Sequence, residues 1–255
     1  MRAVTNSHAR QFQLRLYCSN VPLMHIPDGF FDAPTSAAAG AVAIGTVAVA
    51  TRRCRDQLGE RQVPLAAVTA AFVFAAQMLN FPVASGTSGH VLGGVLAAVL
   101  VGPWAGALCI SIVLAVQSLL FADGGLSALG LNIVNMALVG CVGGYLIFRA
   151  IRAVLPDGLA GVDLAAGLAA FVSVPLAAGA FVAEFVVGGT TGVDVADVLA
   201  AMVGTHALIG IGEGVITAAA VGAVLATRPD LVHGATGTAP SLEVRSAATE
   251  RKVAA

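Results

Sequence analysis

The residues best suited to chemistry are a methionine–histidine pair, Met24 and His25, and a second histidine, His90. If Met24 is the N-terminal residue, its amine and the His25 amide nitrogen close a five-membered chelate ring on a metal. That amide and the Nδ1 atom of His25 close a six-membered ring, which places three nitrogens in one plane. The imidazole of His90 is the candidate fourth ligand, although two histidines taken alone are more often surface or packing residues. Planar nitrogen sites suit Ni(II) or Cu(II), and imidazole also accepts cobalt.

Five polar residues are candidates for a second shell that orients these ligands: Asp28, Ser88, Asp123, Asn132 and Asn135. Asn132 and Asn135 share one helical face, where they either orient ligands or only hydrogen-bond between helices. Glu184, His206 and Glu213 also interrupt apolar stretches, which is costly in lipid. For His206 and Glu213 a structural role is favoured, because no transport pathway can be traced from the sequence.

The composition is that of a membrane protein. Of 255 residues, 58% are hydrophobic and 11% are charged, with a mean hydropathy of +0.90. Soluble domains carry about 25% charged residues, and this many apolar residues cannot be hidden in one small core. An ordinary cytosolic enzyme, a nucleic-acid binder and a disordered chain are therefore excluded. The 30 glycines predict an all-α fold whose helices pack closely through small residues.

A spanning helix needs about 20 apolar residues, and apolar stretches of that kind recur along the chain. We predict seven helices, at 33–50, 64–81, 90–101, 104–121, 126–148, 164–187 and 198–226. The third is too short to span upright, and the helix-breaking pair Gly102-Pro103 separates it from the fourth.

Charge predicts the orientation. With seven crossings, every basic residue after Met24 falls on one side: Arg52, Arg53, Arg55, Arg61, Arg149, Arg152, Arg228, Arg245, Arg251 and Lys252. The opposite loops carry only acidic charges: Asp28, Asp32, Asp123, Asp194 and Asp197. The positive-inside rule then places Met24 outside and the C-terminus in the cytoplasm. With six crossings, the basic clusters would be divided between the two sides of the membrane.

The domain prediction has three parts. Residues 24–228 form the transmembrane metal-binding domain, and 229–255 form a polar, disordered cytoplasmic tail. Residues 1–23 fit neither, because their arginines break the charge rule and Arg15 interrupts the apolar run of a signal peptide. We favour a translation start at Met24 over a genuine disordered extension.

An alternative of another class is an intramembrane serine protease. Residues 86–89, Gly-Thr-Ser-Gly, match the GxSG nucleophile motif of the rhomboid proteases, and His206 could act as the base. The glycines after His206 stand at the fourth and eighth positions, one residue later than in the rhomboid pattern. That shift turns them by about 100° on the helix. The protease hypothesis also leaves Met24 and His25 unexplained.

The motifs Met-His-Ile-Pro-Asp-Gly-Phe at 24–30 and Ser-Gly-Thr-Ser-Gly-His at 85–90 resemble the CbiM/NikM family. This is the substrate-binding membrane (S) component of energy-coupling factor (ECF) transporters for nickel and cobalt. Further matches lie at 91–96, 102–104, 121–125, 129–132, 135–136 and 206–214, so that the resemblance extends from Met24 to about Ala226. It implies a seven-helix protein that binds metal through Met24, His25 and His90. The 23 preceding residues depart from the family pattern, since only a start or a cleavage at Met24 frees that amine.

The chain itself has no nucleotide-binding loop. No GxxxxGK[ST] motif is present and the only lysine is Lys252, so the chain is not the ATPase and we expect no enzyme activity. The resemblance implies three partners: a transmembrane coupling protein of the CbiQ/NikQ type, a cytoplasmic ATPase of the CbiO/NikO type and a small accessory membrane protein of the CbiN/NikN type. It also implies a bacterial inner membrane, no nucleic acid, and Ni(II) or Co(II) as cargo, with no cofactor.

Overall fold

The computed structural model describes residues 25–57, 59, 62–78, 81–84 and 87–238. Its helices are α1 (Ala33–Gln57), α2 (Gln62–Gln77), α3 (Gly94–Val101), α4 (Pro103–Leu120), α5 (Leu129–Arg152), α6 (Leu159–Gly188) and α7 (Val195–Thr227). An antiparallel hairpin of β1 (Phe81–Ala84) and β2 (Thr87–Gly89) connects α2 to α3. The described residues therefore form an all-α fold with one small hairpin, as the composition predicts.

The helices lie where the apolar stretches predict them, with one clear difference. The apolar stretch 64–81 predicts a helix throughout, but α2 ends at Gln77 and Phe81 already belongs to the hairpin. Pro82 lies in β1 and favours extended backbone before it, which disfavours a continuing helix. By length and composition, five of the described helices could cross a membrane: α1, α4, α5, α6 and α7. With 16 residues, α2 is about 24 Å long.

Large apolar side chains cover the outside of the bundle. Ile44 on α1, Val68 on α2, Val187 on α6 and Val215 on α7 are all more than 60% exposed. Soluble monomers rarely expose such extensive apolar surface. These helix faces therefore suit lipid tails.

The short helix α3 lies at the centre of the bundle, and all eight of its residues are buried. Its approach to α5 depends on Gly94, where an added Cβ atom would lie 2.7 Å from the carbonyl carbon of Gly140. The helices α6 and α7 approach each other in the same way, because a Cβ atom on Gly214 would lie 2.9 Å from the Gly167 oxygen. Glycine thus permits the close packing that the composition indicates.

Helix α5 is irregular in its middle. Residues Val134–Gly143 form π-helical turns between two α-helical stretches. Extended π-helix is rare and is often found at functional sites. Asn135 and Met136, at the start of this stretch, line the main cavity described below.

The basic residues gather at one end of the bundle. The ends of α1 and α3 and the turn after α7 meet there, since Cys54, Val101 and His233 line one cavity. The His233 ring also lies 5.7 Å from the ring of Tyr145 on α5. We call this the basic end, and the opposite end, which holds the starts of α5 and α7, the acidic end.

The segment after α7 differs in part from the expected disordered tail. Residues Pro229–Leu231 and His233–Ala235 form two 3-10 turns. Val232 and Ala235 are buried in the main hydrophobic core. These apolar side chains explain why the segment packs against the bundle, while residues 239–255 and residues 1–24 lie outside the described structure.

Candidate metal centre

Residues 25–32, which we call the inserted segment, pass between the helices at the acidic end. The backbone N–H of Ile26 donates to Oδ1 of Asn132 at 3.2 Å, and the Ile26 carbonyl accepts from the N–H of Gly125 at 2.9 Å. Buried backbone groups must be paired, and here α5 and the loop before it supply the partners. Asn132 thus positions the backbone beside His25.

Asp28 ties the inserted segment to the loop before α5. Its Oδ1 atom accepts hydrogen bonds from the hydroxyl of Ser127 at 2.5 Å and from the Ser127 backbone N–H at 2.7 Å. These bonds, the hydroxyl first, hold the pKa of Asp28 below its ordinary value. The carboxylate is therefore ionised at neutral pH and serves as an anchor.

An aromatic cluster holds the other end of the inserted segment. The rings of Phe30 and Phe31 pack against Phe181 and Phe185 of α6, with centroid distances of 5.6 to 6.4 Å. Phe31 also forms an antiparallel bridge with Gly189. Aromatic packing adds to the stability that simple burial supplies, so both ends of the segment are fixed.

His25 and His90 meet in the interior. Their ring centroids lie 4.8 Å apart, and the two residues are only 6% and 9% exposed. His25 Nδ1 lies 3.3 Å from Oδ2 of Asp123, but neither ring nitrogen of His25 makes a hydrogen bond within the described part of the chain. Buried polar atoms without partners are rare in native proteins and require an explanation. A bound ion would supply it.

The tautomer of His90 follows from its backbone contact. Its Nδ1 atom lies 3.0 Å from the Val91 carbonyl oxygen, which can only accept a hydrogen bond. Nδ1–H therefore donates and Nε2 keeps its lone pair. Metal-binding histidines commonly donate their second N–H in this way.

The loop 121–125 closes over His25. Gly124 has a φ of +91°, and an added Cβ atom there would lie 2.8 Å from the Cβ atom of His25. The conformation and the close approach both require glycine. Asp123 reaches the His25 ring from the same loop.

Glu213 of α7 holds the backbone that follows His90. This side chain is 1% exposed, and its two oxygens accept the N–H groups of Leu92 and Gly93, each at 2.7 Å. Gln77 of α2 donates to the Leu92 carbonyl at 2.8 Å. The loop histidine is thus positioned from two helices.

From the sequence, a structural role is favoured for Glu213, and nothing in the sequence connects this residue to His90. The available signal was the cost of a carboxylate in an apolar helix, which requires nearby partners. The identity of those partners was not accessible, because Leu92 and Glu213 are 121 positions apart.

A cavity of about 330 Å³ adjoins the two histidines. Its polar lining residues are His25, His90, Asn132, Asn135, Thr205 and His206. Asn135 Nδ2 donates to Oε2 of Glu184 at 2.7 Å, so this asparagine also connects α5 to α6.

The side chains of two predicted site residues, Met24 and Ser88, are not among the described parts of the structure. Met24 lies outside the described residues, and for Ser88 only the backbone is described, paired with Pro82 in the hairpin. Within the described residues, no three His, Cys, Asp or Glu side chains converge on a point that could hold a metal. The predicted ligand set takes two of its nitrogens from the backbone, so it does not need such a cluster.

Comparison with known proteins decides the family. The family model described as the cobalt uptake substrate-specific transmembrane region, CbiM, matches residues 25–231. The chain belongs to the CbiM family. This confirms the resemblance predicted from the motifs at 24–30 and 85–90.

Curated relatives of this CbiM-family chain are named as metal transport proteins. A putative fused nickel transport protein NikMN of Archaeoglobus fulgidus is 40% identical over 82% of the chain and 68% of its own length. A putative metal transport protein of Haloquadratum walsbyi is 39% identical over 82% of the chain and 93% of its own length. The cobalt transport protein CbiM of Sorangium cellulosum is 34% identical over 82% of the chain and 94% of its own length.

Solved structures agree with the CbiM assignment. A crystal structure of a truncated transition metal transporter has a TM-score of 0.72 and 31% identity, covering 80% of this chain and 99% of that chain. A second crystal structure of a transition metal transporter has a TM-score of 0.73 and 30% identity, covering 80% of this chain and 93% of that chain. The chain is a multi-pass membrane protein of a metal transport family, which favours the transporter over the protease hypothesis.

Proposed function

We propose that this protein is the substrate-capture component of an ATP-driven ECF-type importer of Ni(II) or Co(II). The observation that carries the proposal is the pair of buried imidazoles at 4.8 Å, His25 and His90, at the wall of a cavity. The ring nitrogens of His25 have no hydrogen-bond partner within the described residues. Chemistry at this site is coordination, and no bond of a substrate is broken.

The proposed ligands are four nitrogens. They are the amine of Met24, the amide and imidazole of His25 and the imidazole of His90. The active form therefore begins at Met24, through translation from that codon or through cleavage before it. Asp123, beside the His25 ring, compensates the positive charge of the bound ion.

The acidic end faces outward in this proposal. Asp28 and Asp123 lie at the acidic end, beside the site. Their negative charge attracts divalent cations, while the arginines at the ends of α1 and α5 face the cytoplasm. We propose that the protein lies in the inner membrane of a bacterium.

Partner chains supply the energy. The name of the Archaeoglobus fulgidus relative denotes a fusion, of which this chain covers 68%. We propose that the remainder corresponds to the accessory membrane protein of the CbiN/NikN type. A coupling protein of the CbiQ/NikQ type and an ATPase of the CbiO/NikO type complete the importer.

Nickel and cobalt binding by purified protein in detergent tests the proposal. We expect the form that starts at Met24 to bind one equivalent tightly. His90→Ala should weaken that binding at least 100-fold, because second-shell changes alone cost metal sites 10- to 100-fold. The matched control is His233→Ala, which removes an imidazole at the basic end and should bind like the parent.

Two results would contradict parts of the proposal. Unchanged affinity of His90→Ala would refute the site. Normal binding by a chain that keeps residues 1–23 intact, verified by mass spectrometry, would refute the amine ligand.

A further inference from the structure

The cavity beside His25 and His90 contains a third histidine that the proposed site does not use. His206, on α7, lines the same cavity of about 330 Å³. Six waters around a divalent ion occupy roughly 180 Å³, at about 30 Å³ each. The cavity therefore has room for an ion with its water shell, beyond what direct contact with two imidazoles requires.

The His206 ring is fixed in a form that can bind metal. Its Nδ1 atom lies 2.7 Å from the Met202 carbonyl oxygen, one turn earlier on α7. Because a carbonyl only accepts, Nδ1–H donates and the lone pair is on Nε2. His90 makes the same contact with the Val91 carbonyl. Donation of the second N–H to a carbonyl is the usual support of a metal-binding imidazole.

His206 lies well below the acidic end. It is eleven residues after Val195, the first residue of α7, which is about 16 Å along the helix axis. Asn135 lines the same cavity, and its Oδ1 atom is buried with no hydrogen-bond partner among the described residues.

One ion cannot use all three histidines. His25, His90 and His206 are all described, and no three His, Cys, Asp or Glu side chains in the described structure converge on a common metal position. An ion bound by His206 is therefore a different ion, or the same ion at a later moment.

We propose that His206 and the Asn135 carbonyl oxygen form a second, weaker binding position for the transported divalent cation, in the same cavity as the His25–His90 site. This inference rests on the proposed function. One imidazole, one neutral oxygen and water are fewer and weaker donors than four nitrogens, so the ion is held loosely. An ion released from the His25–His90 site is received at this position.

Cobalt titration of the purified protein tests the second position, with visible absorption and metal content after dialysis as readouts. The parent should bind one equivalent tightly and a second one weakly. His206→Asn keeps a donor to the Met202 carbonyl, because the Asn amide nitrogen takes the place of Nδ1, but it removes Nε2. We expect it to retain the first equivalent and to lose at least tenfold in affinity for the second.

Two further variants complete the experiment. Asn135→Ala should also weaken the second step, which tests the same position through another residue. His233→Asn makes the matched change at the basic end and should leave both steps unchanged.

The outcomes separate this inference from the proposed function. A parent that binds one equivalent only, an unchanged second step in His206→Asn, or loss of the first step in that variant would each overturn the second position. In His90→Ala, loss of the first step with retention of the second supports it. A first step that survives His90→Ala refutes the His25–His90 site instead.

Discussion

Gly124 shows how one residue controls the geometry around His25. Its positive φ and its contact with the His25 Cβ atom leave no space for a side chain. The residue is therefore a sensitive test of whether the position of the His25 ring determines metal affinity.

We predict that Gly124→Ala lowers nickel affinity at least tenfold. A left-handed conformation costs a non-glycine residue about 1–2 kcal/mol, and relief of the overlap displaces His25. Gly158→Ala is the matched control, because Gly158 has a φ of +116° and open space around its Cα atom. It should lose similar stability with unchanged affinity, as measured by calorimetric titration and thermal unfolding. Equal affinities of the two variants would contradict the prediction.

At this scale the sequence predicted which histidines meet but not what holds them. The pairing of His25 with His90 follows from motif resemblance and from charge, which places both residues at one membrane face. The support of Leu92 by Glu213 could not be predicted, because it depends on how α7 packs against a loop 121 positions earlier.

At the scale of elements, hydrogen bonds to Glu213 connect α7 to the backbone that follows His90. The carboxylate of Glu213 accepts two backbone N–H groups inside the bundle, where water cannot replace it. The link fixes the loop that follows the β1–β2 hairpin.

We expect Glu213→Gln to reduce both the thermal stability and the metal affinity. An amide offers only one acceptor oxygen, so its NH₂ group faces a backbone N–H that has lost its partner, which costs about 1–3 kcal/mol. Glu184→Gln is the control, because an amide oxygen still accepts from Asn135. Thermal unfolding followed by light scattering measures the stability, and nickel titration measures the metal affinity. A Glu213→Gln protein that matches Glu184→Gln in both would refute the role.

The positions of the helices could be predicted because apolar runs of helical length are visible in the sequence. The hairpin at 81–89 could not, since its Gly, Ser and Thr residues are equally typical of a turn. The π-helical turns of α5 had no sequence signal either, because they replace α-helix within a continuous apolar stretch.

For the whole molecule, the separation of charge predicts the orientation in the membrane. Arginines near the ends of α1, α5 and α7 lie at the basic end, and Asp28 and Asp123 lie at the acidic end beside the site. Sequence alone predicted this separation, because loop charges can be counted without knowledge of packing.

Cysteine labelling in intact cells tests the orientation with two matched positions. Val193 precedes α7 at the acidic end and Val154 follows α5 at the basic end, and both side chains are more than half exposed. We predict that a membrane-impermeant maleimide labels Val193→Cys in intact cells and labels Val154→Cys only after permeabilisation. The native cysteines are replaced by serine in both. The reverse pattern would place the metal site on the cytoplasmic face.

The buried position of α3 has a consequence for how the protein is assembled in the membrane. Its eight residues extend about 12 Å, too short for the translocation machinery to release as an independent span. Only Gly102 separates α3 from α4, so we expect the two to enter the bilayer together as one hairpin. Helices α5 and α6 are synthesised later and close around it. We therefore expect insertion to be complete only when the second half of the chain has been made and α3 is covered.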